Sequence, residues 1–285
     1  MPSSKSATAL GAGAIGLWAT LASLTALRGP IPPFQTTAIV FAIGGTVVML
    51  AAAARGRLAL VRPTLASFGL GLAGLFGYHA LYFAALRLAP PAEANLVASL
   101  WALFTVLFSG LLPGHRLRLT HVAGALIGLA AATLLVWDKL GAAPAGSDSL
   151  IGFVFAFACA LVWSSYSVTS RLLAEVPSES IALSCLATAA LALAMNLAFE
   201  TWTAPDGLAW LALGGLGVGP VGAAFLLWDI GMKRGDVPLL GVLSYASPIL
   251  STALLVALGL AAASGTLALA CGLMVLAAAI ATRPG

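Results

Sequence analysis

The sequence predicts an all-α polytopic membrane protein: ten transmembrane helices in two inverted five-helix repeats, with both termini cytoplasmic. Three observations predict it. Apolar residues form 61% of the 285-residue chain and charged residues only 8%, with a mean hydropathy of +1.07, whereas soluble domains carry about a quarter charged residues. Gly69, Gly74 and Gly77 are echoed by Gly214, Gly219 and Gly222, and Trp18 by Trp163, each pair 145 residues apart. Lysines and arginines, finally, fall mostly on one side of the apolar segments.

A hydrocarbon core of about 30 Å needs roughly 20 apolar residues per crossing helix. Segments of that length lie at about 7–27, 34–54, 65–86, 91–112 and 119–137 in the first half. The second half repeats them at about 150–172, 179–199, 207–229, 238–260 and 264–282. The first segment follows Lys5 but outruns the hydrophobic region of a signal peptide, so it reads as a retained helix. Breaks such as Arg55-Gly56-Arg57, Pro113-Gly114-His115 and Lys233-Arg234-Gly235-Asp236 separate the segments. Pro91 and Pro238 suit the first turn of a helix, where a missing N–H costs nothing. Gly219-Pro220 and Pro248 fall inside segments and predict bends.

Five crossings per repeat force the second half into the bilayer upside down, so residues 1–140 and 141–285 form one integrated unit. With the N-terminus inside, cytoplasmic segments hold Lys5, Arg55, Arg57, Arg62, Arg116, Arg118, Arg171, Lys233, Arg234 and Arg283, against Arg28, Arg87 and Lys139 opposite. Ten against three is a positive-inside bias. It accounts for the net charge of +4 as orientation anchors beside anionic lipid, without nucleic acid. Inverted repeats are a signature of secondary transporters, whose cargo sits near the midplane between the halves. Ten spans suffice to enclose a site in one chain, so a monomer is sufficient.

Chemistry-bearing residues fall into stripes. In the third span, Tyr78 lies over Tyr82 and His79 over Phe83 at i, i+4 spacing. His79 is the only His, Asp, Glu, Lys or Arg so deep in a span, and needs a partner or a water-filled cavity. It is either a functional group or a neutral imidazole satisfied by a neighbouring hydroxyl. Trp163, Tyr166, Ser167 and Ser170 share a face of the sixth span; Ser244, Pro248 and Thr252 do so in the ninth, with Tyr245 adjacent. Trp101 and Thr105 lie in the fourth span and Trp18 in the first. Trp101 and Trp163 are deeper than headgroup-belt tryptophans, which means either helix packing or a polar cavity that takes the indole N–H. The glycines read as close-packing and hinge surfaces, with Gly69, Ala73 and Gly77 forming a small-xxx-small line.

Absences narrow the cargo. No acidic residue lies mid-span; Glu93, Glu200 and Asp229 fall near ends, which disfavours permanent organic cations. No buried lysine or arginine is expected, which disfavours strongly anionic cargo. No GxxxxGK[ST], HExxH or GxSxG motif occurs, so an ATPase or an intramembrane enzyme is disfavoured and no cofactor is implied. Cys159, Cys185 and Cys271 lie within apolar segments without CxxC spacing and read as packing residues, not metal ligands. An aromatic, hydroxyl-rich cavity suits a neutral or zwitterionic solute with an apolar body.

The sequence resembles the EamA-type members of the drug/metabolite transporter superfamily. Leu17-Trp18-Ala19 and Val162-Trp163-Ser164 are similar to the tryptophan early in each repeat. Leu243-Ser244-Tyr245-Ala246-Ser247-Pro248 resembles the proline-containing segment of a repeat's fourth helix, while Val97-Ala98-Ser99-Leu100-Trp101-Ala102 has Ala102 at the proline position. The aromatic centre is similar to that of the family's aromatic amino-acid exporters. That resemblance implies export of aromatic and other neutral amino acids, such as Met or Thr, across a bacterial inner membrane. It implies a substrate site of Tyr78, His79, Tyr82, Trp101, Trp163 and Ser244, with Trp18, Phe83, Tyr166 and Tyr245 also lining the cavity. Alternating access is the expected mechanism, with gates at the ends of spans three, four, eight and nine and a scaffold of spans five and ten. A different neutral metabolite or drug remains the alternative cargo.

Overall fold

The computed structural model describes residues 4–110, 119–142, 148–173, 175–235, 240, 243–244 and 246–281. Of the residues named above, Pro113, Gly114, His115, Arg116, Arg118, Asp236, Pro238, Tyr245 and Arg283 lie outside them. Among the described residues every regular element is helical: α1 (Ser4–Ala19), α2 (Leu21–Leu27), α3 (Pro33–Ala54), α4 (Leu65–Leu88), α5 (Pro91–Ala98), α6 (Trp101–Ser109) and α7 (Leu119–Ala142), then α8 (Ser149–Ser170), α9 (Ile181–Phe199), α10 (Gly207–Leu216), α11 (Ala224–Arg234), α12 (Ala246–Ala257) and α13 (Gly265–Ala281). Six helical stretches are long and apolar enough to cross a membrane: Lys5–Leu27, Pro33–Ala54, Leu65–Leu88, Ser149–Ser170, Ser178–Phe199 and Gly207–Arg234. Val122–Ala131 and Gly265–Ala277 are shorter apolar helices.

Local chemistry sets the boundaries. Pro33 and Pro91 occupy first turns. The Thr64 hydroxyl and the Asp206 carboxylate each accept a backbone N–H three residues on, at 3.2 and 2.7 Å, capping α4 and α10. Gly56, with φ of +64°, carries the chain out of α3 in the left-handed region that other residues avoid.

Three spans are broken, each for an identifiable reason. Between α1 and α2, the Thr20 hydroxyl and amide both turn back to the Leu17 carbonyl, at 2.7 and 3.1 Å, tightening the turn. Between α5 and α6 the break at Ser99-Leu100 occurs without a proline: the Ser99 hydroxyl donates to the Asn95 carbonyl at 2.8 Å. Ser164 of α8 donates to the Trp101 carbonyl at 2.9 Å. The predicted bend at Gly219-Pro220 is a π-helical segment, Gly217–Ala223, joining α10 to α11. Proline lacks an N–H and its ring crowds the preceding turn, so the ladder rewinds around it. The continuous helix runs to Arg234, five residues beyond the sequence expectation of 229.

The polarity is that of a protein solvated by lipid. Leucines point outward, among them Leu65, Leu197 and Leu211, whereas Gln35, Thr36, Thr37, Ser164, Thr188 and Asn196 are buried. Polar groups inside must then find partners within the bundle. The most extensive helix pairings join the halves: α3 with α9, α4 with α8, α1 with α11, and α7 with α13. The last pair packs chiefly on itself. At one end the Glu200 carboxylate accepts the backbone N–H groups of Phe34 and Gln35 at 3.0 Å, satisfying the open first turn of α3. Gln35 exchanges hydrogen bonds with the backbone of Thr203 there. Beside it, against the expectation that no lysine or arginine is buried, Arg28 is buried: it donates to the Ile31 carbonyl and lies over the Phe83 ring, 5.7 Å from its centroid. Burial, and then Arg87, lowers its pKa to about 10, with Glu200 opposing. At the other end Arg57 pairs with Glu179 at 2.8 Å.

The glycine line differs from expectation. Cβ atoms on Gly69 and Gly214 would meet open space, so these two pack nothing closely. The tight approaches are Gly74, whose Cβ would lie 2.5 Å from the Tyr166 ring, and Gly222, whose Cβ would lie 2.9 Å from the Gly217 carbonyl.

Candidate functional site

Breaks in three spans converge on one aromatic cluster at the centre of the bundle. Trp18, just before the Thr20 break, stands edge-on to Trp163 at 5.6 Å and to Trp101 at 6.1 Å between centroids. Its indole N–H donates to the Pro220 carbonyl in the π-helical segment at 2.9 Å. Trp163 stacks on Phe225 at 5.6 Å and tilts against Tyr78 at 5.2 Å. Trp228 closes on Trp18 at 5.1 Å. Such edge-to-face and offset contacts add to the area these rings bury.

The cluster walls a cavity of about 430 Å³, including its mouth. Trp18, Tyr78, His79, Trp101, Trp163 and Phe225 form its aromatic wall, and Asn95, Ser99 and Ser247 its polar one. Five residues singled out from sequence, Trp18, Tyr78, His79, Trp101 and Trp163, thus meet here. Others stand elsewhere. Tyr82 stacks on Tyr78 from behind, 5.5 Å between centroids. Phe83 packs behind His79 at 5.6 Å. Ser244 is buried with its hydroxyl donating to the Leu240 carbonyl at 2.8 Å; the lining serine of that span is Ser247. Tyr166 lies outside this lining, against Trp163 at 5.2 Å.

His79 is satisfied by its own helix. Nδ1 lies 3.0 Å from the Leu75 carbonyl, and since a carbonyl cannot donate, Nδ1 carries the proton. In the neutral ring Nε2 is then a lone-pair acceptor. The rings of Phe41, Tyr78 and Phe225 surround it at 4.7, 4.8 and 5.6 Å. The expected hydroxyl partner is replaced by a backbone carbonyl.

A polar relay crosses between spans beside the cavity. The Tyr82 hydroxyl donates to Asn95 Oδ1 at 2.8 Å, and Asn95 Nδ2 donates to the Ser251 hydroxyl at 3.0 Å. Sequence reasoning missed Asn95, Phe225 and Trp228. Trp228 lies 145 residues after Phe83, the same offset as the tryptophan pair, and that signal was present. Asn95 went unmarked because it falls in the first turns of its segment, where a polar residue is ordinary. Among the described residues no group of three or more His, Cys, Asp or Glu side chains could hold a metal ion.

Residues 6–137 and 150–283 each match the EamA-like transporter family. The aromatic amino acid exporter YddG of Ancylobacter novellus is 55% identical over 281 residues, covering 98% of both chains. Those of Salmonella typhimurium and Escherichia coli, of the same name, are 26% and 25% identical over 269 residues. A crystal structure that is 55% identical superposes with a TM-score of 0.80 over 97% of each chain.

Proposed function

The chain belongs to the EamA-like transporter family, and on that premise we propose that it exports aromatic and other neutral amino acids by alternating access through the central cavity. That it is a multi-pass membrane transporter rather than an enzyme follows from the family and its apolar helices. The bacterial inner membrane, ten crossings and cytoplasmic termini are part of the proposal.

The observation that carries the reading is the two-faced cavity. One face is built from indole and phenyl rings; the other offers Asn95, Ser99 and Ser247. An aromatic side chain is held by rings through offset stacking, while amide and hydroxyl groups bind ammonium and carboxylate without committing a fixed charge. His79 Nε2 supplies a further acceptor, suited to the ammonium of the cargo. The 55%-identical relative, named an aromatic amino acid exporter, supports the same cargo class.

Helix pairing supports inverted halves. Exchanging the halves turns the pairing of α1 with α11 into that of α8 with α4, and leaves α3 with α9 and α7 with α13 unchanged. A two-fold relation between five-helix halves has this property, and an odd number of crossings makes it an inversion. Rocking would then proceed about the irregular backbone at Thr20, Ser99 and the π-helical segment, since regular helices move as rigid bodies.

Counterflow of labelled phenylalanine into liposomes loaded with unlabelled phenylalanine tests the proposal. Saturable uptake, competed by tyrosine, tryptophan and methionine, is expected. Absence of uptake for every amino acid overturns it. His79→Ala is expected to raise KM, and uptake unchanged by an imposed proton gradient would show that His79 binds cargo rather than relaying protons.

A further inference from the structure

A second cavity, about 400 Å³ with its open mouth included, lies between the ends of α4, α8, α9 and α11, the end that carries the Arg57–Glu179 pair. Its wall is unlike the central one. Five serines line it: Ser67, Ser170, Ser178, Ser180 and Ser184. Lys233 and Asp229, one turn apart on α11, face the same space as an ion pair at 2.8 Å. Lys233 also donates to the Val176 carbonyl, so its ammonium is held in place independently of Asp229.

This vestibule leads inward. A smaller void, about 300 Å³ with its open edges included, shares Tyr166, Ser170 and Asp229 with it, and Trp163 and Phe225 with the central cavity. Ser167 lines that void, is buried, and its hydroxyl has no hydrogen-bond partner among the described residues. A buried hydroxyl without a partner is costly, and a polar guest moving between the cavities offers it one.

We propose that the vestibule is a separate selecting site for zwitterions, where Lys233 takes the α-carboxylate and Asp229 the α-ammonium of an amino acid before its side chain passes Tyr166 and Trp163. This rests on the amino-acid export reading above. The selectivity is electrostatic. A zwitterion can replace both halves of the ion pair and leaves no charge uncompensated. An amine or an acid of the same shape compensates one residue and strands the other, at high cost in a partly buried site. The central cavity, whose lining carries no fixed charge, lacks this means of rejection.

The test is counterflow of labelled phenylalanine by the full chain, with unlabelled phenethylamine or 3-phenylpropionate as competitor. Neither competes with the wild-type protein. In Lys233→Met the unpaired carboxylate admits phenethylamine as a competitor; in Asp229→Asn the unpaired ammonium admits 3-phenylpropionate. Each variant raises KM for phenylalanine about tenfold, the equivalent of one lost charge-assisted contact, with kcat largely kept. Lys233→Arg restores the wild-type profile. A merely structural ion pair would lower stability or kcat without opposite competitor preferences. Should either single variant fail to fold, the double variant D229N/K233M decides: zwitterion, amine and acid are then expected to compete alike. Unchanged competitor profiles in folded variants overturn the vestibule alone. A wild-type protein that counterflows no amino acid overturns the transport reading and this inference with it.

Discussion

At the 145-residue offset the two halves keep two aromatic positions and diverge at four hydrogen-bonding ones. Trp18 faces Trp163 and Phe83 faces Trp228 across that offset, but Tyr78, His79, Tyr82 and Asn95 face Ala223, Ala224, Leu227 and Leu240. The backbone diverges in the opposite sense. Residues 65–88 of the third span form an uninterrupted α-helix, whereas the eighth span is rewound at Gly217–Ala223. One half therefore presents a straight helix bearing hydrogen-bonding side chains, and the other a pliable helix bearing small ones. Small residues let the π-helical segment sit against Gly44 and accept the Trp18 indole. The lesson is that the two matched halves share positions in the scaffold but differ in where they carry hydrogen-bonding side chains and where the helix is rewound.

Substitutions can break this division. The largest effect is expected for Trp163→Ala, which removes the ring that touches Trp18, Tyr78, Trp101 and Phe225 together. It should cost about 3–5 kcal/mol and abolish counterflow, read as a fall in the detergent melting temperature and loss of uptake. A milder outcome would mean that the halves meet elsewhere.

Next comes a matched pair. Gly74→Ala drives a methyl to within 2.5 Å of the Tyr166 ring, while its echo Gly219→Ala meets Leu17 at an ordinary 3.6 Å. The first should cost about 1–3 kcal/mol by overpacking, and the second almost nothing. Equal melting temperatures for the two would refute the asymmetric packing described above.

Asn95→Leu, which breaks the Tyr82–Asn95–Ser251 relay, is expected to lower stability by about 1–2 kcal/mol. It should weaken phenylalanine affinity more than Leu240→Ala, made at the echoed position, does. The smallest effect is expected for Trp18→Phe, which keeps a ring but loses the bond to the Pro220 carbonyl. A loss near 1 kcal/mol, with altered turnover and unchanged KM, would place that bond in the conformational step rather than in binding.

Much of this organisation was legible in the chain. Hydropathy marked the segments whose helices the structure describes, because a lipid solvent demands long apolar helices and little else. Depth within a segment picked out Trp18, Tyr78, His79, Trp101 and Trp163, since a polar or amphipathic group at mid-span needs an interior to face. The same reasoning misplaced Ser244. A serine hydroxyl on a helix is readily satisfied by the carbonyl four residues back, as with Leu240, and periodicity cannot tell that bond from a ligand contact.

What the sequence alone determined is therefore the class of environment: an apolar exterior, helices throughout, a repeated scaffold and aromatic residues at depth. Only the tertiary structure decided which polar atoms find each other. The Trp101 carbonyl next to the Ser99 break meets Ser164 from another helix, the indole of Trp18 meets a carbonyl 202 residues away, and the Asn95 relay ends on Ser251. Each is a contact between residues far apart in sequence. Its energy comes from satisfying a buried polar group, and hydropathy records only that such a group is present, not where its partner lies.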